Sequence, residues 1–262
     1  MQVEVNNSSA YAFTGGREIN PERPTVLFVH GASLDHTVWT LPARHFARRG
    51  YNVLAVDLPG HGLSEGDCLP EISGYADWLI DFLDATGIDK TALVGHSMGS
   101  LITLDCAGRY RDRIRALVLV GTAVPMPVTD QLLDAAKNNV HEAIDMLTAW
   151  GHSPGAHFGG NETPGMWMIG GLIRLFERGG IGVLHNDLLA CNNYTNGMEA
   201  AHQVKCPTML ILGQHDMLTP ARAAKSLAAQ MEDSTTVVLE KTGHTIMSEK
   251  PDALLDCLIK IV

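Results

Sequence analysis

The sequence predicts an α/β fold: a doubly wound, mostly parallel sheet with a helical cap inserted after the sixth strand. Three observations carry this expectation. Short β-branched apolar runs recur along the chain, each followed by a glycine-rich turn and an amphipathic stretch. Near-continuous apolar strands are what a sheet covered on both faces requires. Strand alternates with helix, which within one sheet means right-handed crossovers and parallel neighbours. Between Gly121 and Lys205 that alternation stops, and a chain of 262 residues suits one domain carrying one large insertion.

Residues 3–5 (VEV) and 11–13 (YAF) predict an opening antiparallel hairpin. The runs TVLFVHG (25–31), NVLAVDLPG (52–60), ALVGHSMG (92–99), ALVLVGT (116–122), PTMLILGQHD (207–216) and TTVVLE (235–240) supply the other strands and the turns that follow them. Helices fall at 40–49, 73–86, 98–109, 220–231 and 251–260. In the second of these, Trp78, Leu79, Ile80 and Leu83 form an apolar stripe at helical spacing. Inside the long interval, TDQLLDAAKNNVHEAIDMLTAW predicts one helix over 130–150, capped by Thr129 or Asp130. Two more are expected over 166–180 and 182–194. An all-helical insertion between two strands reads as a lid over the carboxyl ends of the strands, the edge where open α/β sheets bind ligands. The expected division is a core of residues 1–120 and 206–262 and a cap of 121–205.

Hydrophobic residues make up 45% of the chain and charged residues 18%, which suits a sizeable core. A net charge of −10 weighs against nucleic acid and anionic membrane as partners. The opening MQVEVNNSSA has no basic region followed by an apolar run, so no secretory signal is expected. The most apolar stretch, ALVLVGTAVPMPV (116–128), is too short to span a bilayer and is broken by Gly and Pro. Cys68, Cys106, Cys191, Cys206 and Cys257 are odd in number, widely spaced and free of any C-x-x-C pair. That pattern predicts reduced thiols in a cytoplasmic protein, and no metal or cofactor is expected.

In LVGHSMGSLI a serine stands between two glycines where a strand passes into a helix. Gly95-His96-Ser97-Met98-Gly99 matches G-x-S-x-G, a motif whose meaning depends on that strand-to-helix context. Glycine suits both flanks because so sharp a turn leaves no room for a Cβ. The turn lifts the Ser97 hydroxyl above the sheet at the start of a helix, whose dipole favours negative charge. A serine needs a base to take its proton, and the base needs an acid to orient it. Asp216 closes LILGQHD directly after a buried strand, and His244 follows the last strand in LEKTGHT. Both are expected on the same sheet edge as Ser97, and position lifts His244 above the chain's other histidines, 12 in all. An oxyanion formed there calls for backbone donors: the Met98 N–H follows the nucleophile, and the Ala32 N–H lies in VHGAS (29–33).

These residues resemble the α/β-hydrolase family, and the resemblance covers nearly the whole chain. It rests on HGAS, DLPGHGLS (57–64), GHSMG, the strand before GQHD, and TGH followed by SEKPDALLDCL. The resemblance implies a Ser97–His244–Asp216 triad, an oxyanion hole at Ala32 and Met98, and a cap over 121–205. It implies structural roles for Asp57, Gly60, His61 and Ser64; His96 and His215 are read as supports for the turns they occupy and Cys106 as a core thiol. A serine at the elbow argues against the aspartate-dependent epoxide hydrolase and haloalkane dehalogenase branches. Carbon–carbon bond hydrolases of the meta-cleavage type show tryptophan after the triad histidine, where this chain has Thr245. Enol-lactonases and small esterases tolerate such a residue. The expected activity is serine-dependent hydrolysis of a small, largely apolar carboxylic ester or lactone; carbon–carbon hydrolysis and a slow, receptor-like hydrolase are the alternatives. Trp150, Trp167 and Met168 are expected to line an apolar substrate pocket in the cap, and Arg174 and Arg178 offer an alternative seat for a carboxylate.

Overall fold

The apolar runs assemble into one eight-stranded sheet in a computed structural model of the chain, which describes residues 1–138, 141–160 and 166–262. The strands are β1 (Gln2–Val5), β2 (Ser8–Phe13), β3 (Thr25–Val29), β4 (Asn52–Val56), β5 (Thr91–His96), β6 (Ile114–Val120), β7 (Thr208–Gly213) and β8 (Ser234–Leu239). Their order across the sheet is β1-β2-β4-β3-β5-β6-β7-β8. β1 and β2 form the expected hairpin, turning through Asn6 and Asn7 at positive φ, a conformation asparagine tolerates and a tight hairpin needs. β2 runs antiparallel to β4, and every later pairing is parallel.

The uninterrupted burial of β3, β4, β5 and β7 follows from helices on both faces. Alternate residues of each strand enter opposite cores. Leu27, Val29, Leu93, Leu117 and Leu210 face one core; Val26, Phe28, Val94, Val118 and Ile211 face the other. The second core is closed by α1 (Thr40–Arg48), through Phe46. The first is closed by α2 (Ile72–Ala85) and α3 (Met98–Arg109), through Tyr75, Leu79, Phe82, Leu101 and Leu104.

Between β6 and β7 lie α4 (Asp130–Lys137), α5 (His141–Gly151), α6 (Pro154–His157), α7 (Met168–Glu177), α8 (Val183–Asn193) and α9 (Gly197–Gln203). The single helix expected over 130–150 is two. The Thr129 hydroxyl accepts from Leu132 N–H at 3.3 Å to start α4, Asn138 ends it, and α5 begins at His141; residues 139 and 140 lie outside those described. Leu132, Leu147, Leu184 and Leu188 give α4, α5 and α8 a small core of their own. The end of the interval behaves differently. Ala200 and Ala201 of α9 join the main core against α3, where a Cβ on Gly108 would sit 2.7 Å from the Ala200 carbonyl oxygen. After β7 come α10 (Ala224–Ala228), α11 (Ile246–Glu249) and α12 (Pro251–Leu258), so the helix expected over 220–231 shrinks to five residues behind a 3₁₀ turn at Ala221–Ala223.

Strand register places the site. Gly95 stands opposite Val29 and Leu119, Val120 opposite Ile211, and Gly213 opposite Leu239. The carboxyl ends of β3, β5, β6, β7 and β8 therefore finish together, and the loops leaving them share one edge. All five cysteines are free thiols. Among the described residues no helix is long and apolar enough to cross a membrane.

Candidate active site

Ser97 joins β5 to α3 with φ +53° and ψ −120°, a left-handed conformation that a residue bearing a Cβ rarely adopts. The surroundings hold it there. Its N–H donates to the Val120 carbonyl at 3.0 Å, and its own carbonyl accepts from Ser100 N–H at 2.8 Å and from the Ser100 hydroxyl at 2.6 Å. The flanking glycines are close approaches of backbone to backbone. A Cβ on Gly95 would meet the Gly99 oxygen at 2.2 Å, and one on Gly99 would meet the His30 oxygen at 2.4 Å.

On the same edge, the loop after β7 presents Asp216 and the loop after β8 presents His244. His244 Nδ1 donates to Asp216 Oδ2 at 2.8 Å, which leaves Nε2 as the ring's free lone pair. Asp216 also accepts from Leu218 N–H (2.9 Å), Thr219 N–H (2.8 Å) and the Thr219 hydroxyl (2.7 Å). Burial, the largest influence on this carboxyl, favours its neutral form; the His244 ring and the Thr219 hydrogen bonds outweigh it and hold Asp216 below the usual carboxylate range. His96 packs behind His244 with ring centroids 4.7 Å apart, and its Nε2–H donates to the His244 carbonyl at 3.0 Å. Burial first, then the neighbouring His244, pushes His96 down to about 3, so it is a neutral brace.

The loop after β3 closes the site. His30 Nδ1–H donates to the Gly31 carbonyl at 2.8 Å, and its Nε2 accepts from Leu58 N–H at 3.1 Å. Gly31 lies so near the turn that carries Ser97 that a Cβ there would come 3.1 Å from Ser97 Cβ. Ser97, His244, Ala32, Leu147, Leu172 and Leu188 all line one cavity of about 60 Å³.

The profile of the Alpha/beta hydrolase family matches residues 26–256. The chain belongs to that family. The (E)-2-((N-methylformamido)methylene)succinate hydrolase of Acinetobacter baylyi is 21% identical, over 94% of this chain and 91% of its own length. The crystal structure of the enol-lactonase from Burkholderia xenovorans LB400 superposes with a TM-score of 0.87 at 19% identity, covering 99% of this chain and 98% of that one. A thermophilic esterase from Thermogutta terrifontis, solved with malate bound, superposes with a TM-score of 0.84 at 20% identity, covering 99% and 96%. At these identities the structural likeness carries the fold.

In this α/β hydrolase the residues expected to line the cap pocket separate. Trp167 and Met168 line not the Ser97 cavity but a larger, adjoining hollow of about 490 Å³, which shares Leu34, Leu172 and Thr245 with it. Trp167 is 72% exposed. Trp150 lines neither; it packs on the small core of α4, α5 and α8. Arg174 pairs with Glu177 at 2.5 Å and Arg178 pairs with Asp35, so both guanidinium groups already hold carboxylates of the chain itself.

The DLPGHGLS segment is a braced turn. Asp57 accepts from His36 N–H (2.6 Å) and Leu63 N–H (2.9 Å), while the Ser64 hydroxyl donates to the Asp57 carbonyl at 2.7 Å. Gly60 takes φ +76° within it. Among the described residues, Asp35–His36–Asp57 and His61–Cys68–Asp187 each gather three side chains of metal-binding type. In the first, His36 bonds Asp57 and Arg178 bonds Asp35; in the second, His61 bonds Asp187. In both clusters the carboxylates already hold partners from the chain itself.

Three site residues escape the sequence. Thr219 bonds Asp216, and the D-x-x-T spacing of Asp216 and Thr219 is the local signal that finds it. Glu249, buried on α11, accepts from Gly243 N–H at 3.0 Å and the Thr245 hydroxyl at 3.1 Å, bracketing His244; it also accepts from Ser153 N–H at 3.2 Å. Asp187, buried on α8, reaches the loop beside Ala32. For these two no local pattern exists.

Proposed function

We propose that the protein is a serine hydrolase that cleaves a small, largely apolar carboxylic ester or lactone through an acyl-enzyme on Ser97. One observation carries the reading: Ser97, on a strained strand–helix turn, and His244, oriented by Asp216, open into one cavity. His244 Nε2 takes the Ser97 proton as Oγ attacks the substrate carbonyl. The N–H groups of Ala32 and Met98 receive the developing oxyanion. Collapse breaks the ester bond, and His244 returns the proton to the leaving alkoxide. Water then attacks the acyl carbonyl, giving up a proton to His244; collapse breaks the acyl–Oγ bond, and His244 returns the proton to Ser97 Oγ as the acid leaves.

The cavity of about 60 Å³ beside Ser97 suits a small group, and the adjoining apolar hollow of about 490 Å³ suits a longer chain. The helices α4, α5, α7 and α8 act as the cap, keeping bulk water from the intermediate, while α9 belongs to the main core. Relatives named for an ester and an enol-lactone agree with this chemistry, in which an acyl carbonyl is attacked.

A fluorophosphonate probe tests the proposal, because it reacts far faster with an activated serine hydroxyl than with an ordinary one. Mass spectrometry is expected to place the label on the peptide containing Ser97, and p-nitrophenyl acetate is expected to turn over. Label on another residue overturns the assignment of the nucleophile. Label on Ser97 with one turnover or fewer per molecule points instead to a receptor-like protein.

A further inference from the structure

The loop that carries Ala32 is pinned from the α8 side by one buried carboxylate. Asp187 has no exposed surface, and its Oδ2 accepts from Ser33 N–H at 2.8 Å and from His61 Nε2 at 2.8 Å. Its Oδ1 accepts from Asn186 Nδ2 at 3.3 Å and the Tyr75 hydroxyl at 3.4 Å. His61 Nδ1 stands 2.9 Å from the Pro59 carbonyl. Both ring nitrogens of His61 thus face oxygens, and against a carboxylate that arrangement favours the doubly protonated ring, in line with the raised pKa of His61.

The geometry reaches Ala32 through two peptide planes. The Gly31–Ala32 plane is held by its oxygen, which accepts from His30 Nδ1–H at 2.8 Å and Leu34 N–H at 3.2 Å. In a trans peptide the N–H points away from the C=O, so these two bonds restrain the Ala32 N–H from the Gly31 side of the residue only. The next plane, Ala32–Ser33, is held by its N–H on Asp187, with Ser33 at φ +54°. Among the described residues no other hydrogen bond is seen on the second plane, and the two planes share the Ala32 Cα. The residue after Asp187, Leu188, lines the Ser97 cavity. Gly179, between α7 and α8, also lies against this loop; a Cβ there would come 2.6 Å from the Ser33 hydroxyl.

We propose that Asp187 is a positioning residue: by holding the Ser33 N–H it keeps the Ala32 amide aimed at the oxyanion site, and so makes oxyanion stabilisation depend on the seating of α8. This rests on the proposed role of Ser97. The helix that presents Leu188 to the substrate is then the helix that sets the donor, and displacement of α8 weakens both together.

The test begins with the rate of fluorophosphonate labelling at Ser97 in the unaltered protein. No label there overturns the Ser97 reading and the inference with it. With Ser97 labelled, Asp187→Leu, which keeps bulk but cannot accept a hydrogen bond, is expected to lower both the labelling rate and kcat at least about 10-fold while KM moves less than about 3-fold. Asp187→Asn, whose Oδ1 still accepts from Ser33, is expected to recover to within about 3-fold of the unaltered protein. Unchanged kcat in Asp187→Leu, or an Asp187→Asn variant as slow as Asp187→Leu, overturns the inference alone. Because Asp187→Leu strands the His61 charge and can fail to fold, amide hydrogen exchange at Ser33 is read in the unaltered protein as well. Protection comparable to the central strands is expected; exchange at the rate of an open loop overturns the proposal.

Discussion

His244 Nδ1 meets Asp216 Oδ2 at 2.8 Å across two loops that leave neighbouring parallel strands. Thr219, three residues after Asp216, bonds the same carboxylate oxygen at 2.7 Å. The acid is therefore oriented by its own turn before it orients the histidine. Asp216→Asn keeps the shape but removes the charge that balances an imidazolium, and kcat on p-nitrophenyl acetate is expected to fall by about 10⁴. A variant within 10-fold of the parent would mean that another group holds His244. The sign of the acid response follows from the lowered carboxyl of Asp216: its contribution to stability is present above the ordinary carboxylate range and is lost as pH falls through the folded value.

Gly99→Ala is expected to damage folding as well as activity. The new Cβ would meet backbone oxygens of His30 at 2.4 Å and Val29 at 2.5 Å, and neither can swing aside as a side chain does. A cost of about 1–3 kcal/mol is expected from such overpacking, read as a lower urea midpoint at unchanged slope. An unaltered midpoint would mean that the contact between α3 and the end of β3 is looser than described.

Chain-length preference is expected to answer to the hollow beside the Ser97 cavity. Each methylene placed there contributes up to about 0.8 kcal/mol, so kcat/KM is expected to rise along a series of p-nitrophenyl esters until the space is filled. Trp167→Ala and Met168→Ala are expected to flatten that rise while leaving acetate turnover little changed. Trp150→Ala, which lines neither space, is expected to leave the profile alone. If Trp150→Ala alters the profile and the other two do not, the chain binds elsewhere.

The buried His61 is expected to give stability a basic limb. Burial works against its charge, but Asp187 outweighs it, with hydrogen bonds and Asp57 adding to the same side, and the ring's pKa is raised. A raised folded value makes the contribution complete below the ordinary histidine range and lost as pH rises through the folded one. The other groups facing His61 are His30, driven down to about 4 by burial and by His61, Tyr75, whose hydroxyl is raised by burial, and Cys68, raised to about 11. None of them changes charge in the neutral window. Denaturant unfolding from pH 6 to 9 is expected to show a loss of stability that Asp187→Asn lacks; identical pH profiles for the two proteins would count against the buried charge.

The sheet was legible because burial on both faces leaves no position for a polar residue, so β3, β4, β5 and β7 show as unbroken apolar runs. The elements misread are the short ones. Ala221–Ala223 and Ala224–Ala228 form a 3₁₀ turn and a five-residue helix, too brief for helical periodicity to define their ends. The pair α4 and α5 reads as one helix because no Gly or Pro separates them and both turn apolar residues, Leu132 and Leu147, into the same small core.

Sequence by itself determined the fold class and the positions of Ser97, Asp216 and His244 after β5, β7 and β8, since glycine flanks and strand ends are local signals. It also determined that Gly95 and Gly99 stand where the turn is sharpest. Only the tertiary structure decided that Trp167 and Met168 border the adjoining hollow, that Trp150 lies apart, and that Arg174 and Arg178 are already paired. Only it decided that Glu249 reaches back to Ser153, 96 residues away, and Asp187 to Ser33, 154 residues away. A buried carboxylate must find donors wherever the fold supplies them, because leaving its charge unanswered in a low-dielectric interior is costly. The distant donors at Ser153 and Ser33 are backbone N–H groups, which every residue but proline carries, so no pattern of side chains along the chain announces those two partners.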